Sequence, residues 1–404
     1  MNKFGALFVG LVAASGCLGP IRRSPSFAPA VAPAVSAPAG GAGLIRLSAD
    51  RTPEFLDDLD REDLGIAVRA GLRYFEKQPP ERRYYFGADA YTAVEMADGL
   101  RLIDGWLASD PADFGRRVRE AFWVYQSTGA APDGAIVFSA YYEHDLDASL
   151  TRTSSHTVPI YGRPSDLEEA VSAGGEKTVG RRVGGALRPY WTREDIDSGG
   201  RLAGRGLEIA WAADPLDVFF LQIQGSGWLR LPDGERLRIR YAGNNGHPYR
   251  SVGGTMIERG LIPRESFSRQ AMKDYLRTHA DTRQSLLNVN PRYVFFQIDR
   301  SDLKDAAFGS LNVPLTPRRS IATDPAVYPP GALAWMETDT KNKTSRFVLN
   351  QDEGGAIKGL GRVDYFVGGG PAAETYAVGF WEKGRIYFLA KRRGGTERGS
   401  RWRR

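Results

Sequence analysis

The sequence predicts a mainly β protein with helices gathered near its N-terminus. Over residues 63–77, Leu64, Ala67, Val68, Gly71, Leu72 and Phe75 recur at steps of three and four, the mark of an amphipathic helix. Beyond Gly134 the pattern changes to short β-branched and aromatic runs, AIVFSAYYE, LEIAWA, DVFFLQIQG, GWLRL and RLRIRYAG, separated by Gly, Pro and Asp turns as in a small barrel or sandwich. The last hundred or so residues return to strands and tight turns. At 404 residues, 42% hydrophobic and 25% charged, the chain has room for two domains and the composition of a folded body, which excludes a fibre or a disordered protein.

Taken in order, Lys3 precedes an apolar run at residues 4–14, the charged and hydrophobic regions of a secretory signal, too short to span a bilayer. Ala14-Ser15-Gly16-Cys17 then resembles a bacterial lipobox, with Ala14 where Leu is the usual choice. Cys17 is the sole cysteine, so no disulfide forms within the chain, and the resemblance implies that it is lipidated and becomes the first mature residue. Leu18 stands where an aspartate usually marks inner-membrane retention, which implies an outer-membrane lipoprotein on the periplasmic face. Residues 1–17 are thus read as signal peptide and lipidated Cys, and 18–44 as a Pro/Ala-rich linker without hydrophobic periodicity. At about 3.1 Å per residue such a tether reaches a cell-wall layer. Further helices are expected at 88–108, at 112–127 through Phe114, Val118, Ala121, Phe122 and Tyr125, and at 265–279. The net charge of +6 resides in the end of the chain, where seven basic residues from Lys391 onward oppose only Glu397. The 392–404 tail reads as a solvated basic end, and no nucleic-acid partner is expected.

Residues 351–366, QDEGGAIKGLGRVDYF, place Asp352 and Asp364 around a glycine-rich turn with a single lysine, Lys358. Glycines allow the tight turn, and Val363, Tyr365 and Phe366 are apolar surroundings able to raise a carboxyl pKa, making it a general acid. A surface hairpin with turn-forming aspartates is the plainer alternative. Upstream lie VPLTPRRSIATDPAVYPPGA, NPRYVFF, YAGNNGHPYRSVG, DVFFLQIQGSG, IYGRP and FSAYYE.

In these segments the chain resembles the membrane-bound lytic murein transglycosylase A family over about residues 60–391, through VPLTPxRSxAxDP, QDxGGAIKG and RxDxFxGxG. The resemblance implies a double-psi β-barrel catalytic domain built from 45–144 and 289–391, an inserted small β-domain at 145–288, and a groove between them. It implies cleavage of the β-1,4 bond between N-acetylmuramic acid and N-acetylglucosamine in peptidoglycan without water, the muramic C6 hydroxyl attacking to leave a 1,6-anhydro end. Asp364 matches the family's catalytic acid, with Asp352 and Asp324 as supporting acids. One carboxyl suffices because the nucleophile is tethered. Tyr142, Glu143, Gln224, Ser226, Asn245, His247 and Lys358 are candidate substrate-binding residues, although Ala140 and His144 depart from the usual Gly-Tyr-Tyr-Glu-Pro. Expected partners are peptidoglycan glycan strands, the outer membrane through the lipid, and cell-wall enzyme complexes. No cofactor is expected. No metal is expected either, since His144, His156, His247 and His279 are scattered and GGAIKG lacks the phosphate-loop spacing. Two alternatives stay open: a non-catalytic, expansin-like protein that binds or loosens the wall, and hydrolysis by the same acid with water.

Overall fold

The computed structural model describes residues 43–109, 112–131, 133–171, 177–300, 306–339 and 343–394. The signal segment, Cys17, the linker through residue 42 and the tail from residue 395 lie outside the described residues. Six strands close on themselves: β1 (Ile136–Ser149), β2 (Ser320–Ala322), β3 (Leu333–Thr338), β4 (Ser345–Asp352), β5 (Arg362–Gly369) and β6 (Trp381–Lys391). Around the ring β6 pairs with β3, β3 with β4, β4 with β2, β2 with β5, β5 with β1, and β1 again with β6. The β2–β4 and β5–β1 pairs are parallel, so the chain must cross the barrel between them instead of turning back. This is the double-psi barrel. Side chains alternate along each strand: Val363 and Tyr365 are fully buried inside with Phe138, Ile321 and Met336, while Asp364 between them faces out.

The helix Arg61–Glu76 forms where its periodicity predicts, burying Leu64, Ala67, Val68 and Phe75 against the barrel. Ahead of it, Phe55 packs on Trp335 and Phe347, and Asp57 pairs with the buried Arg319.

Three elements differ from the sequence expectation. In place of a helix at 88–108, the strands Arg83–Phe86 and Asp89–Thr92 form a hairpin at Gly87, whose φ is +63°, and the helix spans Ala93–Ser109. Its start is a capping box, in which the Thr92 N–H donates to Glu95 and the Glu95 N–H to Thr92 Oγ1. The helix expected at 112–127 stops at Ala121, because the aromatic run Phe122–Ser127 pairs along β6. The run DVFFLQIQG is a helix, Pro215–Gln224. The Asp214 side chain accepts from the Leu216 N–H, Pro215 opens the first turn and Gly225 closes it at φ +85°. Buried on nearly every side, this helix has no polar stripe and reads like a strand.

Strand β1 outlasts the barrel. Its residues 144–147 pair in parallel with Ser226–Arg230, which pairs with Arg236–Asn244 and through it with Val294–Ile298. The barrel core reaches Tyr142 on this strand, and a second core begins at Leu146 with Ala210, Leu229, Ile239 and Phe296. Helices Pro215–Gln224, Val252–Glu258, Arg269–Thr278 and Ala280–Leu287 surround a third. A smaller β-domain is thus inserted into the barrel and shares one strand with it. Among the described residues, no helix is long and apolar enough to cross a membrane.

Candidate active site

One row of residues crosses the barrel wall. Ala322 on β2 pairs with Asp352 on one side and Asp364 on the other, Ser139 on β1 pairs with Asp364, and Trp381 on β6 pairs with Ser139. Residues directly opposite one another share a face, so Asp352, Asp364, Ser139 and Trp381 all look outward. At ~4.8 Å per strand, the Asp352 and Asp364 backbones stand about 10 Å apart.

Ser139 Oγ donates to Asp364 Oδ1 at 2.7 Å. Arg362, two residues back on β5 and so on the same face, donates to Ser139 Oγ from Nε at 3.1 Å and Nη2 at 3.0 Å. The hydroxyl's acceptor side is occupied by the guanidinium, which directs its one hydrogen to Asp364. Burial pushes Asp364 above the usual carboxylate range, against the Arg362 charge, the Ser139 bond and the Arg269 charge. The flanking Val363 and Tyr365 do not supply that burial, contrary to the sequence expectation, because they point into the barrel.

Asp352 is pushed up to about 6 by burial, despite accepting from the Ser310 N–H at 2.8 Å, the Tyr141 hydroxyl at 2.8 Å and the Glu353 N–H at 2.9 Å. Tyr141 shares Ser139's face, and its ring lies 5.2 Å from that of Phe366. Tyr142, one residue on, turns into the core, where its hydroxyl donates to Glu374 at 2.9 Å.

The inserted domain brings cations to this row. Arg269 opens the helix Arg269–Thr278, which Lys273 fastens to Glu374 on the barrel's helix Pro371–Gly379 at 2.6 Å. The Arg269 charge acts on Asp364, and among the described residues its buried Nη1 has no hydrogen-bond partner. The charges of Arg362 and Arg269 both act on the Tyr249 hydroxyl, whose pKa burial raises. Arg292 abuts the loop after Asp352 so closely that a Cβ on Gly355 would come to 3.0 Å from its Nε. The inserted domain thus brings positive charge to bear on Asp364 and on the loop that follows Asp352.

The MltA specific insert domain matches residues 137–297 and the 3D domain residues 319–390. The membrane-bound lytic murein transglycosylase A of Escherichia coli strain K12 is 31% identical over 280 residues, which cover 66% of this chain and 68% of that protein. The chain belongs to the membrane-bound lytic murein transglycosylase A (MltA) family. A membrane-bound lytic murein transglycosylase from Agrobacterium tumefaciens superposes with a TM-score of 0.72 at 26% identity, covering 86% of this chain and 98% of that one. Escherichia coli MltA with bound chitohexaose shares the MltA fold at a TM-score of 0.66 and 24% identity, over 87% and 95% of the two chains.

Within this MltA fold the remaining candidates fall into separate places. Glu143 is buried where β1 passes into the inserted domain; it pairs with Arg238 and accepts from Trp228 Nε1 at 3.3 Å and Ser226 Oγ at 3.4 Å. Burial raises its pKa, opposed first by the Arg238 charge. It also lines a cavity of about 420 Å³ with Asp145, Trp228, Arg236 and Gly368 to Gly370. Gln224 Oε1 accepts from the Tyr142 N–H at 3.2 Å, tying the helix end to β1. The buried Asn245 amide donates to the Trp191 and Pro291 carbonyls, both at 2.8 Å, and accepts from the Tyr293 N–H at 2.8 Å. His247 Nε2 lies 2.8 Å from the Tyr190 carbonyl. Asp324 accepts from the Gly359 N–H at 2.7 Å and the Ala326 N–H at 3.1 Å, clamping the loop on which Lys358 stands exposed. Asp352 and Asp364 thus share the row, whereas Asn245, His247 and Asp324 are engaged with backbone away from it. The sequence reading singles out none of Ser139, Arg269, Tyr249, Trp381 and Arg362; of these Arg362 alone carries a local signal, since a residue two before Asp364 on a strand shares its face.

Proposed function

We propose that this chain is a lytic transglycosylase that cleaves the β-1,4 bond between N-acetylmuramic acid and N-acetylglucosamine in peptidoglycan, with Asp364 as its one general acid and base. The observation that carries this reading is an outward acid on the barrel wall, raised by burial and bonded through Oδ1 to a hydroxyl whose hydrogen is already directed. Oδ2 then holds the proton. It passes to the glycosidic oxygen as the bond to C1 breaks and the N-acetylglucosamine hydroxyl leaves. The carboxylate so formed, steadied by Arg362, Ser139 and Arg269, accepts the proton of the muramic C6 hydroxyl as its oxygen bonds to C1. The 1,6-anhydro ring closes, the acid is regenerated and no water is consumed.

Asp352 takes a supporting part. It is already bonded by three donors and is set two strands away, so it holds Tyr141 and the loop following it more readily than it attacks the sugar. Asp324 supports that loop from behind. Glu143, Gln224 and Ser226 join the two walls, and Tyr141 presents the aromatic surface for which Tyr142 was expected. At the N-terminus, the lipobox-like run supports an outer-membrane lipoprotein anchored through Cys17 and facing the periplasm, the 18–44 linker giving the groove its reach to the wall.

Mass spectrometry of sacculi digested by the purified protein in ¹⁸O-water tests the reaction. The released strands should end in 1,6-anhydro-N-acetylmuramic acid without the label; labelled reducing ends would show hydrolysis instead.

Ser139→Ala tests how the proton is held. The active form of the free enzyme is protonated Asp364, so kcat/KM falls as pH rises through its raised pKa. Removing Ser139 withdraws a bond that favours the carboxylate, so the alkaline limb should move to higher pH while kcat drops about tenfold through lost orientation. An unmoved limb would detach Ser139 from the acid.

A further inference from the structure

The row that carries Asp364 continues past Ser139 to Trp381, and there the wall does something its stability does not require. Trp381 is 64% exposed, although it opens a strand between the buried Phe380 and the buried Glu382. An indole held outward on a folded wall leaves its broad apolar face open to a partner. One side of it is already occupied. The Arg362 guanidinium lies over the ring, 5.3 Å from its centroid, while its Nε and Nη2 donate to Ser139. The same arginine thereby braces the tryptophan and the hydroxyl that orients the acid.

We propose that Trp381 is a stacking platform for a pyranose ring of the glycan strand, one that lies along the row on the Ser139 side of Asp364. This rests on the glycan-cleaving reading given above. Register supplies the geometry: Trp381 pairs with Ser139 and Ser139 with Asp364, so the platform stands two strands from the acid, about 10 Å between backbones, on the same face. A ring seated there is not at the scissile bond but farther along the same strand. The chemistry selects the occupant. A pyranose has an apolar C–H face to lay on the indole and a hydroxyl rim to meet guanidinium N–H groups, and Arg362 has donors beyond the two that Ser139 accepts. Because Arg362 touches both groups, a sugar that presses on Trp381 also steadies the guanidinium that holds Ser139. Binding remote from the reaction then helps to place the acid, which is how distant subsites raise turnover.

Chitohexaose serves as the probe. Its dissociation constant, measured by calorimetry on the full protein, should rise about tenfold in Trp381→Ala and change little in Trp381→Phe, which keeps an aromatic face. Tryptophan emission should change when wild-type protein is titrated with chitohexaose, and this change should be lost in Trp381→Phe although the sugar still binds. Thermal unfolding of each variant checks that the barrel is intact. Equal affinity of Trp381→Ala and wild type, or no binding of chitohexaose to the wild type, overturns the proposal. Digestion of sacculi by the same preparations keeps the two readings apart. Absence of 1,6-anhydro products from the wild type would remove the enzymatic reading while the affinity comparison still decides the platform.

Discussion

Asp364→Asn should lose two to four orders of magnitude in turnover, roughly the contribution of general acid–base catalysis, or more. The amide keeps the size of the carboxyl, and its oxygen can still accept from Ser139, so the fold and the affinity for chitohexaose should stay at the wild-type level. What it cannot do is give a proton to the leaving oxygen and then take one from the C6 hydroxyl. Among the described residues no second acid stands ready: Asp352 is across the β2 strand and held by Tyr141, Ser310 and Glu353. Asp352→Asn should accordingly retain measurable activity. The comparison is made by counting 1,6-anhydro ends released from sacculi per unit time. Near wild-type release by Asp364→Asn would show that the acid is misassigned. If the wild type and Asp364→Asn alike bound and loosened sacculi without cutting them, the non-catalytic alternative would take its place.

Asp57→Ala should cost about 3–5 kcal/mol of folding stability, the usual penalty for removing one member of a buried ion pair. Arg319 has no exposed surface, and its Nη1 reaches Asp57 Oδ2 at 2.7 Å while its other bonds go to the Phe347 and Asp60 carbonyls. Truncating Asp57 leaves the guanidinium in the barrel wall with carbonyl partners and no counter-charge. Asp57 Oδ2 also accepts from the Phe347 N–H, so the strap across β4 loosens as well. Urea unfolding should show a lower midpoint at unchanged slope. The double variant Asp57→Ala with Arg319→Met, which removes both charges, should regain part of the loss. A double variant no more stable than Asp57→Ala alone would mean that the unpaired charge is not what the single change costs.

Much of the barrel is legible in the chain because its rules are local. The helix Arg61–Glu76 follows from the spacing of Leu64, Ala67, Val68 and Phe75, and the last hundred residues form the expected strands and turns, although in RVDYF Val363 and Tyr365 turn inward, away from the acid they were expected to surround. Local rules also mislead. The segment Pro215–Gln224 is helical although its residues favour strands, because burial on nearly every side erases the periodicity by which a helix is recognised. Residues 122–127 continue a helical spacing yet pair with β6, since a strand far along the chain, whose Lys391 pairs with Phe122, offers the better partner for an aromatic run.

The sequence by itself determined the kind of chain this is: a mainly β body with the glycine-bracketed acids Asp352 and Asp364, and the motif order that marks its family. Only the tertiary structure decided what surrounds those acids. Ser139 and Arg269 lie 225 and 95 residues from Asp364 along the chain, and neither bears a local mark of its role. Ser139 reaches the acid because β1 runs parallel beside β5, and Arg269 because an ion pair at Lys273 holds its helix against the barrel. Both dependences share one physical cause. The state of a carboxyl is set by the burial, charge and donors within a few ångströms of it, and it is the closure of the barrel and the docking of the inserted domain that bring those groups together.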